Sequence, residues 1–589
     1  MAFDGIVLAA VQQELSARLL NGRIDRIYQP SSDTVVLHIR QRSGNFKLLL
    51  SAHAYDARVH LTTANFSNPF NPPLFCMVLR KHLEGGKILS IEQEELERLL
   101  SFTVEALDEL GQMKSKQLIV EIMGKHSNIL LVDPESNTII DGIKRYTHAV
   151  SRHREVLPGR VYIAPPAQHK LNPLHISEEQ FKAALFNDNF SAKVSKILVK
   201  QLAGLSSLMA NEIVYRAGLD QEITLELLGD YDLTRLWQEL QSIAAAVKTG
   251  AFTPSVYSFR DNLLDYAAIK LQQFPFAQEM IFPGMSEALD SFFQAKQAKD
   301  ELQRAKNELR RILTKELERN RKKQALQEET IAQAKLAEPY RIKGELLTAN
   351  IYRVSKGDKT VLVENFYNPD DGPLLIELKP ELSPAQNAQT YFKKYNKAKA
   401  GAKKAQEQLR LTNEEIYYLE SVLESVDRAN QMAELAEIRS EMIAQGYLEQ
   451  DIPRKSKKPQ QEQAKAMPMV FRASSGLPIL VGKNNRQNDW LTMKLAKDHD
   501  IWLHVKDLPG SHVVIQTGGK NVPDSALLEA ATLAAYFSKG QYSGQVPVDW
   551  TLKKYVRKPN GAKPGMVIYD HQQTIYVTPE EEVVNKLKA

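Results

Sequence analysis

Two short polar runs hold the side chains best suited to binding chemistry in this 589-residue chain. Residues 121–128 pass from a strand-like start into hydrogen-bonding residues, and residues 482–489 are polar almost throughout. Cationic side chains bind phosphate, while amides offer donors and acceptors to sugars and base edges. In the second run these residues are Lys483, Asn484, Asn485, Arg486 and Gln487. Consecutive polar residues without an aliphatic anchor are costly to bury, so this run predicts a solvated loop or a contact surface.

Three histidines, His126, His504 and His512, invite a metal or acid–base interpretation. None lies near a cysteine and no His-Glu-x-x-His spacing occurs, so hydrogen-bonded structural or RNA-contacting roles are favoured, and no metal or cofactor is expected. Trp502 fits either base stacking or a place in the core. A basic and aromatic cluster fits either RNA contact or a strand edge: Tyr555, Arg557 and Lys558.

Two stretches keep the alternating three- and four-residue spacing of a coiled coil. In the first, the small or apolar positions are Ala295, Ala298, Leu302, Ala305, Leu309 and Ile312. In the second they are Tyr395, Ala398, Ala402, Ala405, Leu409, Ile416, Leu419, Leu423 and Val426, with Thr412 at the one polar position. Because this spacing keeps one narrow stripe facing a partner helix, we predict two long helices packed as an antiparallel hairpin.

Basic residues cluster on both predicted helices, although the formal net charge is only +5. The second helix carries Lys393, Lys394, Lys397, Lys399, Lys403 and Lys404. Local positive fields of this kind attract polyanions such as RNA. The alternative is a solvated coiled-coil face with mixed charges, which Glu308 and Glu316 support on the first helix. Both interpretations stay open at the level of sequence.

Composition indicates an ordinary globular protein of about three to five domains, with 43% hydrophobic and 25% charged residues. The single cysteine, Cys76, excludes an internal disulfide framework and suits a reducing compartment. The first residues lack the pattern of a secretion signal, and no apolar run reaches the length of a membrane span. The expected location is therefore the cytoplasm.

The chain divides by composition and spacing into six predicted segments of an α+β multidomain protein. They are residues 1–172, with mixed strands and helices; 173–250, helical; 251–288, a connecting helical segment; 289–451, the arms with a small module at about 342–386; 452–468, a basic linker; and 469–589, an α/β block. Within the second segment, Gly204-Leu205-Ser206 links two short helices. Its backbone amides suit a phosphate, as in a helix-hairpin-helix, but an ordinary helical connector is the favoured alternative.

A series of ordered motifs extends over nearly the whole chain. They are Met1–Gly5, Gly22–Ile24, Lys47–His53, Pro72–Met77, Leu79–His82, Glu121–Asn128, Gly482–Asn488, Trp502–His504, Gly510–Val514 and Lys558–Gly565. In this series the chain resembles the NFACT family. The resemblance implies a glycosylase-like NFACT-N domain, a helix-hairpin-helix, a long coiled coil with a middle module and a C-terminal NFACT-R domain, in the order of the segments above.

The resemblance also implies a function on the ribosome. Members bind large ribosomal subunits that hold a stalled peptidyl-tRNA, recruit alanyl-tRNA and direct untemplated alanine addition, which marks the nascent chain for proteolysis. A small RNA-binding partner protein assists. The alternative considered is a cell-surface adhesin that binds fibronectin, suggested by an older name in the family and opposed by the missing export signal.

Site residues follow from the resemblance position by position. Glu97 and Arg98 match a pair that is usually Asp-Arg in the family, so the longer glutamate alters the exact geometry; a surface ion pair is the alternative. For tRNA binding and tailing, the full set is Glu97, Arg98, Glu121, Ile122, Met123, Lys125 and His126. For other RNA contacts, the set is Arg40, Arg80, Lys393, Lys394, Lys397, Lys483, Asn484, Asn485, Arg486 and Gln487.

No catalytic residues are predicted. The N-terminal region more distantly resembles formamidopyrimidine-DNA glycosylases, but Ala2 stands where their nucleophilic proline is required, so a repair enzyme is the disfavoured third hypothesis. No Gly-x-x-x-x-Gly-Lys-Ser/Thr loop indicates nucleotide hydrolysis. If alanine is transferred, ribosomal RNA is expected to supply the chemistry, while this protein positions the tRNA.

Overall fold

A computed structural model describes residues 3–108, 110–149, 153–166, 168–260, 262–449 and 467–588. The chain forms two compact units, Met1–Lys299 and Asp300–Ala589. Nearly all of the predicted basic linker, 452–468, lies outside the described residues. Within the described ranges, no helix combines the length and hydropathy needed to cross a membrane.

A nine-stranded antiparallel sheet forms the centre of the first unit, in the order β4-β3-β2-β1-β5-β6-β7-β8-β9. The strands are β1 (Arg23–Ser31), β2 (Thr34–Gln41), β3 (Gly44–Ser51), β4 (Arg58–Leu61), β5 (Lys87–Gln93), β6 (Leu99–Leu107), β7 (Met113–Glu121), β8 (Asn128–Asp133) and β9 (Thr138–Gly142). Two helices accompany it, α1 (Gly5–Leu19) and α2 (Leu74–Leu83). Helix α1 begins where the carboxylate of Asp4 accepts the amides of Ile6 and Val7, over 3.1 and 3.0 Å.

Four helices and a small sheet follow in the first unit. They are α3 (Glu178–Phe186), α4 (Val194–Gln201), α5 (Ser207–Arg216), α6 (Asp230–Thr249), β10 (Ser255–Phe259), β11 (Asn262–Ala267) and β12 (Gln278–Ile281). The prediction of a helical segment over 251–288 is wrong, because all three strands of this sheet lie within it. Val256 of β10 and Tyr266 of β11 form a cross-strand pair, and both are buried, so their contact stabilises the pairing of the two strands. One hydrophobic core joins residues from Phe3 to Phe293, and the boundaries at 172 and 250 stay predictions.

The predicted long helices are confirmed as α7 (Met285–Lys335) and α9 (Pro384–Arg428). Helix α9 has 45 residues, about 68 Å at ~1.5 Å per residue. Their contacts run antiparallel: Arg310 bonds to Asp427, and Arg321 farther along α7 bonds to Glu420 nearer the start of α9. Helix α10 (Met432–Ala444) packs on the same core.

The contact stripe of α7 differs from the predicted one. Ala295 and Ala298 are exposed, so the stripe does not include them. Leu309, Leu313 and Leu317 form its buried part. These three residues repeat every four positions, so the helix leaves the strict heptad phase beyond Leu309 and the predicted position Ile312 is only partly buried.

A small module lies between the long helices, as predicted. It consists of α8 (Glu338–Ala349) and the antiparallel strands β13 (Thr360–Val363) and β14 (Leu374–Glu377). Its core includes Leu346, Val363, Ile376 and the first turns of α9 around Ala388. The strands that composition predicts at 359–364 and 374–378 are therefore confirmed.

The C-terminal block is a six-stranded antiparallel sheet, in the order β15-β16-β18-β17-β19-β22, which packs on α12. Its elements are β15 (Met469–Arg472), β16 (Pro478–Val481), α11 (Asn485–Trp490), β17 (Ile501–Val505), β18 (Val513–Ile515), α12 (Asp524–Tyr536), β19 (Val546–Leu552), β20 (Val556–Arg557), β21 (Ile568–Tyr569), β22 (Gln573–Val577) and α13 (Glu581–Leu587). Composition and spacing predict strands at 477–482, 501–505 and 512–515 and a helix over 524–539 with a cap-like Asp524-Ser525. The strands are confirmed as β16, β17 and β18 and the helix as α12, although α12 ends at Tyr536 rather than Lys539. Pro523, not Asp524, precedes its first turn.

Candidate nucleic-acid interface

Two loops that are distant in sequence lie side by side at one end of the nine-stranded sheet. The 94–98 loop joins β5 to β6, and the 122–127 turn joins β7 to β8. The amide of Ile122 donates to the carbonyl of Arg98 over 2.8 Å, at the point where β6 and β7 begin to pair. The structure thus brings together four residues predicted to bind tRNA: Glu97, Arg98, Lys125 and His126.

The side chains at this site are available for a ligand. Those of Glu97, Lys125 and His126 are exposed, and that of Arg98 is half-buried. Among the described residues, the side chains of Glu97 and Arg98 have no hydrogen bond or ion pair, so the alternative of a surface ion pair is wrong. A guanidinium and a carboxylate without internal partners can contact phosphate or base edges.

Lys170 is a third charged group near this pair, and no sequence motif pointed to it. Burial lowers the pKa of Lys170, the positive charge of Arg98 lowers it further, and the negative charge of Glu97 raises it. The ammonium group therefore lies within electrostatic range of both side chains. Lys170 adds to the positive potential that an RNA phosphate meets at this site.

Glu121 lies beneath the 122–127 turn and is fully buried. Its carboxylate forms a bidentate pair with Arg154, with one nitrogen–oxygen distance of 2.7 Å, and accepts the hydroxyl of Tyr162 over 3.0 Å. Burial of Arg154 lowers the pKa of its guanidinium, but the hydrogen bonds and the negative charge of Glu121 raise that pKa overall. Ile122 is also fully buried, while Met123 is half-buried.

This burial corrects two predicted contacts. The side chains of Glu121 and Ile122 cannot touch a bound tRNA in this conformation. They instead support the turn from below, because the ion pair ties the end of β7 to the segment that contains Arg154. Within the 121–126 stretch, Lys125 and His126 are the residues with exposed side chains.

Close backbone packing holds the 94–98 loop in place. The amide of Gly5 donates to the carbonyl of Gly204 over 3.0 Å. A Cβ atom on Gly5 would lie 2.1 Å from the carbonyl oxygen of Leu96, and one on Gly204 would lie 2.6 Å from the Cβ of Leu96. Gly204 also has φ +76°, which favours glycine. The start of α1 and the α4–α5 turn therefore hold Leu96, one residue before Glu97.

The α4–α5 turn does not offer a free phosphate site. The carboxylate of Asp4 accepts the hydroxyl of Ser206 over 2.6 Å and its amide over 3.3 Å. A buried carboxylate of the protein itself therefore occupies the anion position at the start of α5. This arrangement agrees with the favoured alternative, a helical connector around Gly204-Leu205-Ser206.

The polar run at 482–489 is mostly buried, so of its two predicted alternatives, a solvated loop or a contact surface, the solvated loop is wrong. Its four amide side chains, Asn484, Asn485, Gln487 and Asn488, belong to residues that are exposed by 5% or less. Burial is tolerated because each amide finds a partner. The amides of Asn484 and Gln487 donate to Glu437 over 2.8 and 2.9 Å, and Asn485 donates to Glu441 over 3.2 Å.

The two cations of this run are also bonded to the same helix. Lys483 pairs with Glu434 over 2.6 Å, and Arg486 bonds to the hydroxyl of Ser440 over 3.0 Å. The acidic partners Glu434, Glu437 and Glu441 recur at positions i, i+3 and i+7 of α10, hence on one helix face. The run attaches the C-terminal domain to the base of the arm, and direct RNA contact by its amides is not supported by this arrangement.

A second segment of the C-terminal domain docks in the same region. Lys558 pairs with Asp489, and Lys563 pairs with Glu415 of α9 and bonds to the hydroxyl of Tyr447 over 2.6 Å. Burial raises the pKa of Glu415, but the bonds to Lys563 and Tyr447 outweigh it and lower that pKa overall. Lys558 is therefore engaged within the protein, while Arg557 pairs on the surface with Asp570 over 3.0 Å.

The aromatic and histidine candidates of this domain belong to its interior. Trp502 is fully buried, and its ring stacks on that of His504 with 5.8 Å between centroids. His512 bonds to Thr492 over 2.7 Å. Burial lowers the pKa of His504 to about 4, and burial and then the charge of His504 lower that of His512. Of the open alternatives, the structural one is confirmed for these two histidines, and the core position is confirmed for Trp502.

The remaining predicted RNA contacts differ in availability. Arg40 is exposed and pairs with Asp25 over 3.2 Å. Arg80 donates to the carbonyl of Ile27 over 2.9 Å and packs over Tyr28. The lysines of α9 are exposed: Lys393, Lys394 and Lys397. RNA binding by these residues stays a prediction.

Comparison with known proteins assigns the chain to a family. The model for NFACT N-terminal and middle domains matches residues 4–462, and the model for the NFACT protein RNA binding domain matches residues 467–570. The chain belongs to the NFACT family. The resemblance predicted from the motifs is therefore confirmed, as is the α+β multidomain fold with NFACT-N and NFACT-R domains.

Two relatives match this chain along its full length. The chain is 40% identical over 595 residues to the Rqc2 homolog RqcH of Bacillus subtilis, and 40% identical over 589 residues to that of Streptococcus suis, with all of both chains covered in each case. A solved structure, the fibrinogen binding protein from Staphylococcus aureus, is 35% identical and covers 50% of this chain and 99% of its own, with a TM-score of 0.42. The family relationship supports a ribosome quality control factor with an RNA-binding domain.

Proposed function

We propose that this protein binds stalled large ribosomal subunits that carry peptidyl-tRNA, recruits alanyl-tRNA and directs untemplated alanine addition to the nascent chain. The added tail marks that chain for proteolysis, and a small RNA-binding partner assists the cycle in the cytoplasm. One observation carries the proposal: the 94–98 loop and the 122–127 turn converge on one exposed site whose charged pair, Glu97 and Arg98, has no partner among the described residues. The full-length 40% identity to RqcH proteins supports it.

The site suits recognition of tRNA rather than covalent chemistry. Arg98 presents a planar fork that can donate to two phosphate oxygens or to a guanine edge, and Glu97 can accept from a base amine. Lys125 supplies a phosphate contact from the neighbouring turn. These groups place a tRNA, and the peptidyl transfer itself is assigned to ribosomal RNA.

A site that positions a tRNA must itself be held rigidly by the protein. The 94–98 loop is held by the close approach of Gly5 and Gly204, and the adjacent turn is held by the buried pair of Glu121 and Arg154. Orientation alone can supply effective molarities of ~10⁵ M or more, provided that the reacting groups are held in place. A fixed loop on a nine-stranded sheet meets that condition better than a mobile one.

The test is recovery of RNA with the tagged, full-length protein from cells in which translation has been stalled. The expected result is enrichment of large-subunit RNA and of alanine tRNA over other tRNAs, with alanine tails on stalled nascent chains. Recovery of neither RNA would overturn the proposal. Enrichment of the large subunit without any alanine tRNA would reject the tRNA step while leaving ribosome binding in place.

A further inference from the structure

A basic cavity lies at the opposite end of β5 from the Glu97–Arg98 loop. The cavity has a volume of about 750 Å³, and its lining includes Arg23, Arg40, Arg42 and Lys87, with Asn21 and Gln41 beside them. Among the described residues, no acidic and no aromatic residue lines it. Lys87 begins β5 and Gln93 ends it, so the cavity and the loop are separated by about 20 Å along the strand, at ~3.3 Å per residue.

The cations stand in a row across three neighbouring strands. Arg40 of β2 is the cross-strand partner of Arg23 of β1, and Arg23 is the partner of Lys87 of β5. Like charges placed directly opposite each other destabilise a sheet. Asp25 neutralises one of them, through its 3.2 Å pair with Arg40, and Glu105 is the cross-strand partner of Lys87. The charged groups of Arg23, Arg42 and Lys87 have no bonded partner among the residues that the structure describes.

The walls of the cavity are fixed before any ligand arrives. The side-chain amide of Gln41 donates to the carbonyl of Leu20 over 2.6 Å. The amide of Asn21 donates to the carbonyl of Ile88 over 2.8 Å, and Asn21 has φ +66° in a tight turn. These bonds tie the end of α1 to β2 and β5. An arrangement of unpaired cations on a rigid frame costs stability and is explained by an anionic ligand.

We propose that this cavity binds the phosphate backbone of an RNA, at a site separate from the Glu97–Arg98 loop. The absence of an aromatic residue in the lining gives a base nothing to stack on, whereas guanidinium groups contact backbone phosphates without reading sequence. The inference rests on the proposed function in one respect: the RNA that binds the first unit is taken to be a tRNA. The cavity contacts the phosphates of the tRNA, while Glu97 and Arg98 recognise a base or a loop of it.

The experiment compares two full-length variants with the same change in net charge. Arg23→Gln with Arg42→Gln removes two positive charges from the cavity, and Lys248→Glu changes the charge equally at an exposed position in the last turn of α6. The measurement is the affinity for purified tRNA as a function of salt. Each lost phosphate contact lowers the slope of log K against log salt by about 0.7 to 0.9.

The expected result for the cavity variant is a roughly tenfold loss of affinity at about 0.1 M salt, a slope reduced by about 1.5, and the same loss for alanine and other tRNAs. The control is expected to keep its slope. An unchanged slope in the cavity variant, with normal binding by the unaltered protein, would overturn the inference and leave the proposed function standing. Failure of the unaltered protein to bind tRNA at all would overturn both.

A localised probe separates phosphate contact from a general change in charge. Cys76 is buried, so a cysteine introduced as Ser43→Cys, next to Arg42 at the rim of the cavity, can be labelled selectively with a radical-generating iron chelate. Cleavage of bound tRNA at a limited set of backbone positions is the expected result. Uniform cleavage or none, with normal affinity, would contradict a bound backbone at the cavity.

Discussion

The hydroxyl of Ser206 donates a 2.6 Å hydrogen bond to the carboxylate of Asp4, and both residues are buried. Asp4 precedes α1 and Ser206 precedes α5, so one bond joins the first turns of two helices that are 202 positions apart. The same two turns enclose Leu96 through Gly5 and Gly204. This contact connects the fold of the first unit to the placement of the Glu97–Arg98 loop.

Ser206→Ala is expected to lower the free energy of unfolding of the first unit by about 2 to 3 kcal/mol. The substitution removes the cap of α5 and a bond to a buried carboxylate. Urea unfolding followed by pulse proteolysis measures the effect. The matched control is Ser177→Ala, which removes an exposed cap from α3 and is expected to cost about 1 kcal/mol. Equal losses in both variants would show that the bond to Asp4 contributes nothing.

Glu97→Ala combined with Arg98→Ala is expected to abolish alanine tailing while binding to the large subunit persists. The two side chains have no bonded partner among the described residues, so their removal leaves the fold intact and takes away only ligand contacts. Tail length on a stalled reporter and sedimentation with large subunits are the two measurements. Glu94→Ala removes an exposed carboxylate from the same loop and serves as the control. Normal tails in the double variant would exclude this pair from the mechanism.

Arg154→Ala is expected to destabilise the first unit by about 3 to 5 kcal/mol, because it leaves the carboxylate of Glu121 buried without its cation. The double variant Glu121→Leu with Arg154→Met is expected to recover most of that loss, since it removes both charges. Urea unfolding measures both variants. Arg160→Ala breaks a more exposed pair with Glu155 and is expected to cost less than about 1 kcal/mol.

The double variant at Glu121 and Arg154 also tests positioning. If the buried pair orients the 122–127 turn, the recovered stability will be accompanied by weaker tRNA binding. Affinity equal to that of the unaltered protein would show that the pair serves stability alone.

Asn485→Ala is expected to loosen the C-terminal domain from the base of the arm and to cost about 1 to 3 kcal/mol. The change removes one donor from the carboxylate of Glu441, whose pKa is already raised by burial and is held down in part by Tyr418 and Asn485. Proteolysis of residues 467–588 in the full chain measures the loosening. Asn521→Ala, at an exposed asparagine, is expected to change nothing. If the Asn485→Ala variant resists proteolysis normally but binds RNA more weakly, the prediction that Asn485 contacts RNA would be restored.

The C-terminal domain is expected to lose stability as pH falls from about 6.5 towards 4. Burial lowers the pKa of His504 to about 4, whereas in the unfolded chain the value is about 6.5. Between these values the unfolded state binds the proton and the folded state does not, so the contribution is complete above pH ~6.5 and decreases below it. The loss from His504 alone is about 2 kcal/mol at pH ~5.

Hydrogen exchange of the peptide that contains β17, corrected for the intrinsic effect of pH, measures this loss in the full chain. His504→Gln is expected to reduce the dependence of the domain's stability on pH. His499→Gln changes an exposed histidine and is expected to leave that dependence unchanged. A profile without any change between pH ~7.5 and ~5 would contradict the neutral, buried state of His504.

Local sequence patterns determined the elements that depend on neighbours along the chain. The long helix α9, the aliphatic strands at 501–505 and 513–515 and the two strands of the middle module all follow from period and composition, and they are confirmed. Ordered motifs over the whole length also identified the family. The segment at 251–288 was wrongly predicted because short strands with few alternating residues do not differ clearly from a helix by period alone.

Tertiary structure alone decided which polar residues face a ligand and which face the protein. Asn484, Asn485 and Gln487 are buried because Glu437 and Glu441 of α10 supply their partners, and no pattern within the run itself reveals those carboxylates. Glu121 and Arg154 are likewise joined only by the sheet. The net free energy of burying a polar group depends on whether a partner is present, and partners distant in sequence are brought into reach only by the fold.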